Sequence, residues 1–222
     1  LSKALPDRVM AEGAANIWIN QFSGRDEQQD IWTYVWFSAG GTGARPNKDG
    51  ISAAAFPSGI SGVPAEVIES LSPVVMHRRE YRADSGGPGE FRGGLGQVME
   101  VSVRGDKAFT LSPLFDRTQF AAQGYAGGEP GAFGRIAAST GEVLERKGVR
   151  EFPAGTRVRL ELPGGGGFGY PHQRDPVAVL DDVRDGLVSI DAARDAYGVV
   201  IDAASMTVDR AATAKARESN RD

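Results

Sequence analysis

Five polar residues stand inside glycine-rich runs, where a backbone or a ligand can approach closely: Arg45, Asp49, Asp84, Ser85 and Arg92. Guanidinium groups grip carboxylate or phosphate through paired hydrogen bonds, and carboxylates take up protons or pair with arginines. A serine hydroxyl becomes a nucleophile when a base activates it. The five therefore suit substrate contact, docking of another chain, or a satisfied ion pair within the loops. Ser85 carries the nucleophile reading poorly, because the one histidine before it, His77, lies eight positions upstream on a strand-like run. The two histidines, His77 and His172, are 95 positions apart, with no chelating partner at metal-ligand spacing. With no cysteine in the chain, disulfides, thiolate zinc sites, iron–sulfur clusters and cysteine nucleophiles are all excluded.

These residues owe their setting to 30 glycines among 222 residues, about twice the usual share of roughly 7%. The glycines gather at 40–50, 86–96, 124–131 and 164–169. Such runs serve as turns, as close-packing devices, or as nests of amide groups that hold an anion. Gly164 to Gly169 formally satisfies GxGxxG, yet a dinucleotide loop opens straight into a helix, whereas here Tyr170-Pro171 intervenes and helical spacing waits until Pro176. No GxxxxGK[ST] phosphate loop occurs.

The elements that must position these loops are mostly strands. Residues 16–22 and 31–37 alternate polar and apolar with a period of two and predict an antiparallel pair. Strand-like runs follow at 74–82, 97–105, 107–113, 134–138, 142–145 and 156–162, with Gly105-Asp106 and Thr140-Gly141 placed as hairpin turns. Residues 1–15 read as a short helix. After residue 165 the pattern becomes helical. Asp175-Pro176 opens a helix that Gly186 closes, with Val177, Leu180, Val183 and Leu187 near one face. Ser189 caps a second helix ending at Gly198, residues 199–201 and 206–208 form a small hairpin, and Asp209 caps a tail helix that frays from Ala214 onward. The expected fold is α+β: predominantly antiparallel β with glycine-rich loops over 1–165, then a helical pair, a short hairpin and a tail helix over 166–222.

Composition narrows the classes further. At 41% apolar and 24% charged residues the chain reads as globular, and its apolar runs are too short and interrupted for a bilayer, which asks for about 20 apolar residues. A net charge of −4 argues against a nucleic-acid partner. The chain opens Leu-Ser-Lys without an initiator methionine or a signal-peptide pattern, and reads as the continuation of a longer cytoplasmic protein.

Several ordered motifs agree at once with one family. Gly40-Gly-Thr-Gly-Ala-Arg45, Asp49-Gly50, residues 56–66 with Glu69, Asp84 to Gln97, Leu162 to Gly169, Arg174-Asp-Pro176, Val183 to Gly186 and Tyr197-Gly-Val-Val200 resemble the C-terminal half of the hydantoinase B/oxoprolinase family. The resemblance runs from about residue 10 to 213 and implies ATP-dependent opening of a cyclic amide such as 5-oxoproline, a hydantoin or a lactam. It further implies that ATP with Mg is bound by a hydantoinase A-type ATPase partner. A divalent metal, where relatives use one, would be held by His and Asp in the upstream half of the polypeptide, so no metal ligand or cofactor contact is carried onto this chain. Arg45, Asp49, Asp84, Ser85 and Arg92 match recurring loop motifs, as substrate-binding or docking residues. Tyr170 departs from the polar residue that many relatives place after the glycine run. Two other readings stay open: a component of an ATP-dependent ketone carboxylase, and a non-catalytic assembly module.

Overall fold

The computed structural model describes residues 4–15, 17–141 and 148–218. Its elements in chain order are β1 (Trp18–Arg25), β2 (Ile31–Ser38), α1 (Ala65–Leu71), β3 (Val74–Tyr81), β4 (Gln97–Val103), β5 (Phe109–Leu114), β6 (Arg135–Ala138), β7 (Arg150–Phe152) and β8 (Val158–Glu161). The C-terminal part adds α2 (Pro176–Arg184), α3 (Ile190–Asp195), β9 (Ile201–Asp202), β10 (Thr207–Val208) and α4 (Arg210–Glu218).

The period-two segments become two antiparallel sheets. One runs β2-β1-β5-β7 and the other β3-β4-β8-β6. Their inward side chains share a single hydrophobic cluster, with Trp18, Phe22, Trp36, Phe109 and Phe152 from the first sheet and Met99, Val101, Ile136, Val158 and Leu160 from the second. Phe22 stacks on Trp36 at 5.1 Å and Trp18 on Phe115 at 4.1 Å, the offset geometry in which aromatic pairs add to burial. The expected β1–β2 pairing is in register from Trp18 opposite Ser38 to Arg25 opposite Ile31.

Four expectations are corrected or extended. Gly105-Asp106 is no hairpin: β4 pairs with β3 and β8 while β5 pairs with β1 and β7, so Gly105, at φ +96°, turns the chain from one sheet to the other. Residues 4–15 hold only a 3-10 turn at Pro6–Arg8; beyond it the chain runs extended, because Ala11 and Ala14 donate their amides to Ala44 and Gly41 rather than along a helix. The strand placed at 142–145, with the hairpin through Thr140-Gly141 that it would complete, lies outside the described residues, and β6 pairs with β8. Helix α1 was not foreseen. It has seven residues, begins after Pro64 with no side-chain cap, and is fixed by Ile68 in the core and by the Glu69 carboxylate, which accepts from the Met76 amide at 2.9 Å.

Beside the sheets the glycine-rich segments pack into a bundle of backbones. Residues 164–169 form its axis. Their six successive amides donate to the carbonyls of Ala132, Gly94, Glu12, Glu129, Phe91 and Tyr125 at 2.8–3.2 Å. Residues 164 and 167 thus reach segment 129–132, and 165 and 168 reach segment 91–94, the period of three that a polyproline-II-like helix imposes. A Cβ built on Gly164, Gly165, Gly166 or Gly167 would lie 1.7–2.1 Å from the carbonyl oxygens of Ser85, Thr42, Gln123 and Pro88. Only glycine allows neighbours this close, as at the crowded axis of collagen. The bundle is a core made of main chain.

The C-terminal helices carry a second hydrophobic cluster of Val179, Leu180, Val188, Ala193, Tyr197, Val199 and Ile201. Asp175 caps α2 by accepting from the Val177 amide at 2.9 Å, and Ser189 caps α3 by accepting from Ala192 at 3.0 Å. The buried face of α2 is Val179, Leu180 and Asp182; of the expected stripe Leu180 is buried and Val183 packs partly buried against the cluster, while Val177 is 54% exposed. An aspartate turned inward rotates the face. The tail helix continues through Glu218, past the point where fraying was expected, and Arg217 fixes it by donating to the carbonyls of Tyr197 and Arg174. Among the described residues no helix is long and apolar enough to cross a membrane.

Candidate functional site

Asp49 and Arg92 meet where the glycine bundle faces the C-terminal helices. Gly50 donates its amide to the Arg92 carbonyl at 2.8 Å, and the Arg92 amide donates to Asp49 Oδ1 at 2.7 Å, so the two loops lie edge to edge. This places the Asp49 carboxylate against Arg174, whose Nη1 and Nη2 donate to its two oxygens at 2.7 Å each. Arg174 Nη2 also donates to Asp182 Oδ2 at 2.8 Å, and Arg92 closes the set through Nε and Nη2 to Asp182 at 3.3 and 3.1 Å. Two guanidiniums and two carboxylates are thereby balanced. The side chains of Arg92, Arg174 and Asp182 are only 6–8% exposed, whereas Asp49 keeps 32%.

The electrostatics follow from that balance. Burial works to raise the Asp49 pKa, but the hydrogen bonds and charge of Arg174, with Arg92 behind it, outweigh burial and hold the carboxyl below its usual range. Burial likewise works against the charge on Arg174, and its bonds to Asp49 and the field of Asp182 more than reverse this. Tyr197, buried beside the set, has its phenol pushed well above the usual value by burial. The charged ends of this cluster satisfy one another, while Arg174 Nε is buried without a hydrogen-bond partner. Its chemistry is that of a latch between the bundle and α2, each half contributing charges the other neutralises.

The remaining candidates are placed elsewhere. Ser85 is fully buried; its Oγ donates to the Arg82 carbonyl at 2.6 Å and accepts from the Gly96 amide at 2.9 Å, which fixes a turn and leaves no hydroxyl for attack. Asp84, at φ +58°, accepts from the Ser189 amide at 2.7 Å, while its own amide donates to Leu187. It joins a glycine loop to the start of α3. Arg45 lies in a tight turn paired with Lys48, half-buried, away from the latch contacts. His77 Nε2 contacts Ser102 Oγ at 2.7 Å on the outer face of the second sheet. The GxGxxG match offers no phosphate cradle, because all six of its amides already donate to backbone carbonyls. Among the described residues no group of three or more His, Asp or Glu is arranged to hold a metal, so no step is derived through one on this chain.

Two latch residues, Arg174 and Asp182, were missed as site candidates. Arg174 stood in a recognised motif, Arg174-Asp-Pro176, whereas Asp182 is one of two adjacent aspartates between Leu180 and Val183, and nothing in the sequence sets it apart from the exposed Asp181.

Fold and site together define a class first: an α+β protein whose glycine-rich loops form a backbone core latched to a C-terminal helical unit. The chain belongs to the Hydantoinase B/oxoprolinase family, whose profile matches residues 1–171. It is 32% identical over 208 residues to one component of the putative D-/L-hydantoinase of Pseudomonas sp. (strain NS671), covering 90% of this chain and 34% of that protein. The crystal structure of the ATP-dependent caprolactamase from Pseudomonas jessenii matches with a TM-score of 0.81 and 31% identity, over 98% of this chain and 40% of that one. The nucleotide-free structure of acetone carboxylase matches with a TM-score of 0.78 and 28% identity, over 94% of this chain and 34% of that one. The chain spans about a third of the length of the hydantoinase component.

Proposed function

We propose that this chain forms part of an ATP-dependent hydrolase that opens a cyclic amide, acting with the rest of a hydantoinase B-type polypeptide and with a hydantoinase A-type partner that holds ATP and Mg. The observation that supports this most is family membership over 171 residues together with likeness, over nearly the whole chain, to an ATP-dependent caprolactamase. Phosphorylation of an amide oxygen turns a poor electrophile into one that water attacks, and preorganised donors must hold the charge that develops. The part of this chain is rigidity. A bundle of hydrogen-bonded glycine backbones, latched by Asp49, Arg92, Arg174 and Asp182, fixes loops at one edge of an active centre, while nucleotide and any metal are supplied by other polypeptide.

The assembled complex is expected to open 5-oxoproline, a hydantoin or a lactam only when ATP is present, read as amino-acid product and phosphate. Absence of turnover on all three classes overturns the reading. A second reading, ATP-dependent ketone carboxylation, is favoured by the acetone carboxylase likeness. Bicarbonate-dependent ATP consumption with a ketone, and none with a lactam, selects it.

A further inference from the structure

An open sheet ends in strands whose outer amides and carbonyls have no neighbour, and proteins blunt such edges with charge, a bulge, proline or short length. Among the described residues the edges are β2 and β7 in the first sheet and β3 and β6 in the second. Strand β7 has three residues, two of them Arg150 and Glu151, and β6 has four, opening on Arg135. Strand β3 shifts register between Met76 and Arg78 and carries Arg78, Arg79 and Glu80. Strand β2 has none of these devices. It runs for eight residues, Ile31-Trp-Thr-Tyr-Val-Trp-Phe-Ser38, with no charge, no proline and no break in its register with β1.

Its outward side chains are apolar where water would favour polar ones. Ile31, Val35 and Phe37 are 73%, 42% and 41% exposed, with exposed Thr33 between them. Phe37 lies beside Ile19 and Ile19 beside the exposed Leu114, so apolar surface continues across three strands. The second sheet treats its outer face in the opposite way: Arg78, Glu100 and Arg159 stand abreast on β3, β4 and β8 as ion pairs. An uncharged edge joined to an exposed apolar face is a surface for another chain to cover.

The order of residues in β2 selects that chain. From Tyr34 the strand reads Val35-Trp36-Phe37 in one direction and Thr33-Trp32-Ile31 in the other: a β-branched residue, a tryptophan, a large apolar residue both ways. Antiparallel pairing of β2 with its own copy, about a two-fold axis at Tyr34, sets Thr33 opposite Val35, Trp32 opposite Trp36 and Ile31 opposite Phe37. Opposed aromatic and β-branched pairs are the contacts that stabilise a sheet, and Asp30 falls opposite Ser38, so no like charges meet.

We propose that the edge of β2 is a self-association surface to which a second copy of this chain adds antiparallel, joining two four-stranded sheets into one of eight. The surface involves none of the latch residues and does not depend on the cyclic-amide reading.

The test is sedimentation equilibrium of the 222-residue chain, which is expected to show a reversible dimer that predominates at about 100 µM. Val35→Lys and Thr33→Lys each put a charge on the edge at a solvent-facing position and are expected to raise the dimer Kd at least about tenfold. Their circular dichroism spectra should match the parent's, and Val35→Thr, which keeps the β-branch, should leave the Kd within about threefold. Since the chain has no cysteine, single thiols read the register. Tyr34→Cys brings two thiols together on the axis and is expected to oxidise to a covalent dimer, whereas Ile31→Cys holds its two thiols about 20 Å apart and should not. A monomer at all concentrations up to about 500 µM, a dimer that both lysine variants leave intact, or cross-linking at Ile31→Cys as fast as at Tyr34→Cys would each overturn the proposal. Hydrogen exchange in the assembled complex gives a further check: β2 amides protected there by a different polypeptide would assign the edge to that partner and overturn it too.

Discussion

Removing one carboxylate from a buried set of four charges leaves two guanidiniums with a single carboxylate between them. Asp182 is the carboxylate to remove, bonded to both Arg92 and Arg174. Breaking a buried pair from one side costs about 3–5 kcal/mol, so Asp182→Ala is expected to lower the urea midpoint of the chain by that much stability. A loss under about 1 kcal/mol would show that the latch is not closed in solution. Asp49 gives the pH dependence. Its folded pKa is depressed, so its contribution is present above the ordinary aspartate range near 4 and is lost as pH falls through the lower folded value. Stability of the parent and of Asp49→Asn, measured in urea, is therefore expected to differ at pH 7 and to converge below pH 4. A gap that is unchanged at pH 3 would remove the Asp49–Arg174 pair from the account.

At the scale of elements, two kinds of glycine are distinguished by what surrounds them. Gly165 sits at the bundle axis, where a Cβ would meet the Thr42 carbonyl at 2.0 Å and the bundle could accommodate it only by separating its strands. Gly105 turns at φ +96° with nothing within 4 Å of a Cβ. Gly165→Ala is expected to abolish cooperative folding or cost more than about 3 kcal/mol, and Gly105→Ala only about 1 kcal/mol of backbone strain. Circular dichroism melts of the two variants compare them directly, and equal losses would refute a backbone-packed core. The caps of α2 and α3 were plain in Asp175-Pro176 and Ser189, because a cap is a local bond between neighbours in sequence. The buried face of α2 was not, because what turned Asp182 inward lies 90 positions away at Arg92. The pairing of β4 followed the same logic: a turn at Gly105 is local, but which strand lies beside it depends on both sheets closing over one cluster.

Over the whole molecule, the latch is expected to make the sheets, the bundle and the C-terminal helices unfold together, although they hold two separate hydrophobic clusters. In Arg92→Met the amides of α3, held now through Asp84 and the Asp49–Arg174 pair without the Arg92–Asp182 bonds, should exchange with solvent before those of β4, whereas in the parent both exchange together. Simultaneous exchange in the variant would assign the coupling to other contacts. Alternating strands, helix caps, the absence of cysteine chemistry and the family were all settled by the order of residues along the chain, since each depends on neighbours or on recurring motifs. Which glycines turn and which pack was decided only by the folded arrangement, as was the bringing together of Asp49, Arg92, Arg174 and Asp182. Those contacts join segments up to 125 positions apart, and a one-dimensional pattern carries no record of which distant backbone will occupy the space a missing Cβ leaves.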